Sequence, residues 1–191
     1  MIVGIKEEGN VVLAFSSFDG FSRVNVGDMT NGENVGLWKI KTNPHTVMGC
    51  VFPTAESDAY RYEEEMFQGK IDYDKLAEEI LPAMEQFAEE KEYIGNDNGK
   101  FEQFLIAQRD RLFRIESEHI IMEIDSSVVL AELGEDFAKG VLYATQGEPT
   151  LDRIRKIFEF AAYERQCDPY PISVMDTRTG KLHTLTREDN Q

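Results

Sequence analysis

Apolar positions cluster at the very start of the chain. Ile2, Val3 and Ile5 form one short run, and Val11 to Phe15 form a second, with Glu7-Glu8-Gly9-Asn10 between them. This pattern predicts a β-hairpin from the first residues, closed by a Gly-containing loop of about three to five residues. A terminus frays unless something ties it down, so a strand starting here places the α-amino group of Met1 on the fold. Ser17 to Arg23 then read as loop, Val24-Asn25-Val26 as a short strand, and residues 27–36 as a Gly/Asn/Asp-rich loop. Alternation over residues 37–40 and the apolar run over 46–52 predict two further strands, separated by a turn at Asn43-Pro44-His45.

The period then changes. Thr54 or Ser57 can cap a helix running to about Gln68, with Gly69 as its stop. From Asp72 to about Tyr93, Leu76, Ile80, Met84, Phe87 and Ala88 share one face of a long helix, and Glu78, Glu79, Glu85, Glu89 and Glu92 line the rest. Pro82 inside it has no N–H to donate and should kink or split it. Residues 95–99 form a loop.

Residues 101–107, 112–115 and 120–124 read as successive strands of a meander, with tight turns at 108–111 and 116–119. Residues 128–131 form a further strand. A helix follows over 136–145, with Phe137, Val141 and Ala144 on one side, and another over 150–165, with Leu151, Ile154, Ile157, Phe158 and Ala161 as its core face. Residues 171–176 predict a final strand, and residues 182–191 a frayed polar tail outside a single domain of residues 1–181. Runs of strands alternating with pairs of helices suggest an α+β fold of two packed sheets with helices layered outside.

Composition narrows the function classes. The 191 residues are 41% hydrophobic and 29% charged, as expected of an ordinary globular protein with one substantial core. With 20 Lys+Arg against 36 Asp+Glu the net charge is −16, which argues against a nucleic-acid partner. No segment approaches about eighteen consecutive apolar residues. No signal peptide is evident, and two cysteines make no disulfide framework, so a cytoplasmic, non-membrane protein is expected.

Candidate chemistry is sparse. His45, His119 and His183 are far apart, with no ligand-spaced partners, so no metal or cofactor is expected. Cys50 lies in an apolar strand, and Cys167 lies beyond a helix beside Asp168-Pro169. There is no phosphate-binding Gly-rich loop, nucleophile elbow or HExxH motif. Glu63-Glu64-Glu65 and the acidic helix faces read as solvated surface.

The order of elements, together with specific segments, resembles the proteasome β-type family of N-terminal nucleophile (Ntn) hydrolases. The likeness is closest to the bacterial HslV-like peptidase that works with an ATPase ring. Ile2-Val3-Gly4-Ile5 through Gly9 to Ala14 look like its opening hairpin, and Trp38-Lys39-Ile40 with Val47-Met48-Gly49 like its next strands. The segments 104–107, 112–115 and 121–124 look like its meander, and 130–144 like its strand, turn and helix. The resemblance implies a four-layer αββα sandwich. It also implies a mechanism in which an N-terminal threonine attacks the scissile carbonyl and its own amine takes the proton.

Carried over position by position, that machinery is missing. Met1 matches the threonine itself or the residue after it, and no propeptide is expected whose removal exposes a hydroxyl. Loss of Met1 would leave Ile2. The family's aspartate falls at about Ser16, its lysine at about Gly36 and its turn serine at Leu133. Its substrate- and oxyanion-binding glycines fall near Phe52 and Pro53, and Pro53 has no N–H to donate. Three readings follow: an inactive scaffold or assembly protein; a hydrolase using Ser16, Ser17 or Cys50; or a ligand- or partner-binding module using the cleft between sheets. The resemblance also implies a homo-oligomer through the helical layers, with an ATPase or other protein as a possible partner.

Overall fold

A computed structural model describes residues 1–16, 36–50, 64–90, 103–116, 120–130, 135–165 and 167–190. The expected strand at Val24-Asn25-Val26, the start of the helix expected from Thr54 or Ser57, and the loop at 95–99 lie outside them; the described end of that helix is a 3-10 turn at Glu64–Phe67, followed by Gly69 at φ +80°.

The opening hairpin is present. Strands β1 (Ile2–Glu7) and β2 (Asn10–Phe15) pair antiparallel, from Ile2 opposite Phe15 to Glu7 opposite Asn10. Its loop is two residues rather than three to five, because Gly9 takes φ +70°, which a two-residue reversal can use and most side chains resist. Strands β3 (Leu37–Lys39), β4 (Thr46–Cys50), β5 (Phe104–Gln108), β6 (Arg111–Glu116) and β7 (Ile120–Glu123) follow in sequence order as one antiparallel sheet. Strand β8 (Val128–Leu130) does not extend that meander; it crosses to pair with β1. Strand β9 (Ile172–Asp176) pairs with β2.

Residues 182–185, expected in a frayed polar tail, instead form β10 (Leu182–Leu185) on the edge of β9, giving a second sheet ordered β10-β9-β2-β1-β8. The turn between them is built locally. Asp176 Oδ1 accepts from the Thr179 amide at 2.7 Å, and Gly180 takes φ +58°. Only Leu185 of β10 is buried, so the strand is held by ladder hydrogen bonds that leave little trace in hydrophobic pattern.

Helix α1 combines a turn at Tyr73–Lys75, a π segment at Leu76–Ile80 and an α segment at Leu81–Glu90. Pro82 accounts for the irregularity. Without its N–H, an α-helical bond to the carbonyl four residues back cannot form, and just before it Leu81 N–H reaches five residues back to Leu76. The expected break is thus a π turn inside a continuing helix. Helices α2 (Glu135–Ala144) and α3 (Thr150–Arg165) complete the fold.

Three apolar layers hold it together. Ile2, Leu13 and Phe15 meet Leu37, Val47, Leu105 and Leu112 between the sheets. Val3, Ile5 and Ala14 pack outward with Leu142, Ile154 and Phe158 of α2 and α3. Met48, Ile106 and Phe113 pack outward with Leu76, Ile80 and Met84 of α1. Each fully buried side chain of this size stabilises by roughly 1.5–3 kcal/mol before entropy is counted. Phe137 and Leu151 are 56% and 46% exposed, and Ala144 is exposed too; the buried residues of α2 are Ala138 and Leu142, one position round from the expected stripe, and Leu151 sits in the first turn of α3.

One surface pair carries a pH consequence. Arg111 donates from Nε and Nη2 to the two Glu123 oxygens, both at 2.7 Å, and from Nη1 to the Ile71 carbonyl at 2.8 Å. The Arg111 hydrogen bonds hold the Glu123 carboxyl below its usual range. A carboxyl with a depressed folded pKa contributes stability above its unfolded pKa, and that contribution is lost as pH falls through the folded value. Glu123→Gln should therefore lower stability at neutral pH by about 0.5–1 kcal/mol, given the partial exposure, and shrink the acid-induced loss. Urea midpoints at neutral and acidic pH measure both effects; an unchanged acid limb would refute the assignment.

Candidate functional site

The site to test lies where β1 begins. The Met1 ammonium donates to the Ser16 carbonyl at 3.0 Å, and the Ser16 amide donates back to the Met1 carbonyl at 3.2 Å. The first residue is thereby locked into the hairpin ladder and is 1% exposed.

Strand alternation then decides which side chains meet. Met1 belongs to the layer between its sheet and the helices α2 and α3, while Ile2 belongs to the layer between the sheets. Ser16, opposite Met1, also turns away from the cleft: its hydroxyl donates to the Pro169 carbonyl at 2.5 Å. Phe15, opposite Ile2, faces inward.

Across the cleft stand Gly36 and Gly49. The Cys50 amide donates to the Gly36 carbonyl at 3.1 Å, which fixes this backbone against β4. A Cβ on Gly36 would fall 2.2 Å from the Phe15 ring, and one on Gly49 would fall 3.0 Å from Ile2 Cδ1. Lack of room is reason enough for glycine at position 36. The ring of Phe15 fills the place a side chain at 36 would need.

The positions singled out by sequence therefore do not converge. Met1 and Ser16 point to the helical side, and Gly36 faces the inter-sheet side. The residues that do converge are Ile2, Phe15, Gly36 and Gly49, an apolar set. Phe15 and Ile2 were missed because β1 and β2 are buried on both faces, so no polar alternation marks which side faces the cleft. Cys50 is buried at 3% exposure in the layer under α1, with no open surface to admit a substrate. Ser17, Leu133, Phe52 and Pro53 lie outside the described residues.

At the other end of the cleft, the side chains are polar and tie the sheets together. Thr177 Oγ1 accepts from the Val11 amide at 3.1 Å and approaches both Asn10 Oδ1 at 2.7 Å and the Arg109 carbonyl in the β5–β6 turn. Its single proton can serve only one of these acceptors. His45 Nδ1 lies 3.1 Å from the Thr177 carbonyl, which can only accept, so this nitrogen carries the proton. His183 is exposed on β10 and His119 lies outside the described residues. Among the described residues no group of three or more His, Cys, Asp or Glu is placed to hold a metal ion, and no helix is long and apolar enough to cross a membrane.

No protein-family model matches the chain, and no curated protein matches it in sequence. Solved structures do. Thiobacillus denitrificans BPH in complex with epoxomicin superposes with a TM-score of 0.63 at 15% identity, covering 92% of this chain and 96% of that one. Eukaryotic HslV from Trypanosoma brucei gives 0.59 at 14% identity, covering 92% and 97%. Anbu (ancestral β-subunit) from Yersinia bercovieri gives 0.59 at 12%, covering 98% and 87%. At such identities the likeness is one of fold. The chain has the two-sheet, helix-flanked sandwich of the HslV- and proteasome-like Ntn hydrolases.

Proposed function

We propose that this chain uses the proteasome-like fold without its threonine-peptidase chemistry, as a non-catalytic scaffold, assembly or partner-binding protein. The observation that carries the reading is the apolar closure of the cleft by Ile2 and Phe15 against Gly36 and Gly49. Hydrolysis by this fold needs a nucleophile and a proton acceptor within hydrogen-bond reach of each other, at about 3 Å. Among the described residues the converging side chains carry neither hydroxyl, amine nor carboxylate. The Met1 amino group acts as a hydrogen-bond donor to Ser16, and the Ser16 hydroxyl is spent on Pro169. A homo-oligomer suits the same reading, because α2 and α3 leave Phe137, Tyr143, Phe160 and Tyr163 exposed on the helical layer. An ATPase or other protein partner would dock on such an assembly.

The test is one purified sample. Fluorogenic peptides should show no turnover above a blank, and incubation with epoxomicin should leave the intact mass unchanged. Light scattering should give a multiple of the chain mass. Peptide turnover together with a new N-terminal Thr, Ser or Cys on sequencing would overturn the non-catalytic reading. A monomer mass would remove the scaffold's self-assembly.

A further inference from the structure

At the far end of β1, five residues and about 17 Å from Met1, the molecule has a second cleft of about 690 Å³. It opens where the chain crosses from one sheet to the other, between β7 and β8, beneath the junction of α2 and α3. Lys6, Lys139 and Arg153 all line it, against one carboxylate, Asp125. In a chain with 20 basic and 36 acidic residues, this local balance runs opposite to the whole.

The cations are held in place but not neutralised. Lys6 Nζ donates to the Ile124 carbonyl at 3.1 Å, and the Lys6 amide donates to Ser127 Oγ at 3.2 Å, which pins the crossing segment as a floor. Arg153 Nη2 donates to the Leu142 carbonyl at 3.0 Å, near the end of α2. Neither side chain forms an ion pair with a carboxylate among the described residues. Lys139 is different, because it pairs with Glu135 at 2.5 Å on the surface. Apolar surface completes the cleft, with Val128 and Leu142 behind and Tyr143 standing 80% exposed at the rim.

We propose that this cleft binds a small organic anion, an oxyanion group carrying an aromatic or aliphatic body. The oxyanion sits between Lys6 and Arg153. The body lies on Leu142 and Tyr143. Arginine suits the role because its planar donors match two oxygens of a phosphate or carboxylate at once. Either group satisfies this geometry, so phosphate monoesters and carboxylates share the chemistry and differ in charge.

Calorimetry on the full chain at low ionic strength tests this, with phenyl phosphate, benzoate and inorganic phosphate as probes. Saturable binding of phenyl phosphate or benzoate is expected, and the tighter of the two identifies the headgroup. Amide shifts should concentrate at Lys6, residues 125–129 and residues 139–146. Arg153→Lys keeps the charge but removes the planar fork, and should weaken binding about tenfold. Lys139→Gln, at the exposed rim, should weaken it less while leaving the melting temperature unchanged. If Arg153→Lys fails to fold, Lys6→Met serves as the second variant, with the same expected loss. No saturable binding of either organic probe would overturn the proposal, as would undiminished binding by a folded Arg153 or Lys6 variant. Inorganic phosphate binding as tightly as phenyl phosphate would overturn the role of the apolar wall. These outcomes do not depend on whether the chain cleaves peptides.

Discussion

Placing any side chain at position 36 should destabilise the protein by about 3 kcal/mol or more, with Gly36→Ala the mildest case and Gly36→Lys the worst. The Phe15 ring lies 2.2 Å from where the new Cβ would stand, and the ring is itself 4% exposed, so it has little room to swing away. Removing the ring should cost about as much in the other direction: Phe15→Ala leaves a cavity worth about 3–5 kcal/mol. The two changes should compensate. Phe15→Ala with Gly36→Ala should be more stable than the sum of the singles predicts, by at least about 1 kcal/mol, because each fills the fault the other makes. Urea denaturation of the four proteins measures the coupling. A Gly36→Ala protein within about 0.5 kcal/mol of wild type, or a strictly additive pair, would show that the cleft is not closed by this contact. The result bears on function as well as packing, since Gly36 is where the resemblance puts the family's lysine. A lysine cannot be restored here while Phe15 remains.

The second large effect lies at the opposite end of the cleft. Thr177→Val should cost about 2–4 kcal/mol although it changes the shape of the side chain very little. The valine leaves the Val11 N–H without its acceptor and deprives Asn10 or Arg109 of a donor, all at a position with 0% exposure. Thr177→Ser keeps the hydroxyl and loses only a methyl group, so it should cost about 1 kcal/mol. The contrast between the two separates hydrogen bonding from packing. Equal losses in Val and Ser variants, with unchanged denaturant slopes, would mean that the methyl group matters and the hydrogen bonds do not.

Much of the fold was legible in the residue pattern. The hairpin at Ile2 to Phe15, the meander over residues 104–123 and the two helices before β9 follow from period and turn chemistry. Strand β10 was not legible, since three of its four side chains are exposed and its cohesion is in the backbone. Nor was the π turn before Pro82, because the sequence marks where a donor is missing but not how the helix absorbs the loss. Phe137 and Ala144 keep helical period yet are exposed, because period gives a stripe without saying which of two adjacent stripes meets the next layer.

For the site, the sequence by itself supplied the residue types at the positions the resemblance points to. Residue types alone carry the proposal that Met1, Ser16 and Gly36 replace the threonine, aspartate and lysine that the resemblance implies. Only the tertiary structure decided what occupies the space instead. Strands apolar on both sides carry no mark of which side faces a partner sheet, so the sequence does not distinguish Met1 from Ile2, or Ser16 from Phe15. Pairing Ile2 with Phe15 turns both inward, sends Met1 and Ser16 to the helices, and brings a ring against a glycine 21 residues further along the chain. That contact joins two sheets whose register is set by long-range hydrogen bonds, which no local pattern encodes.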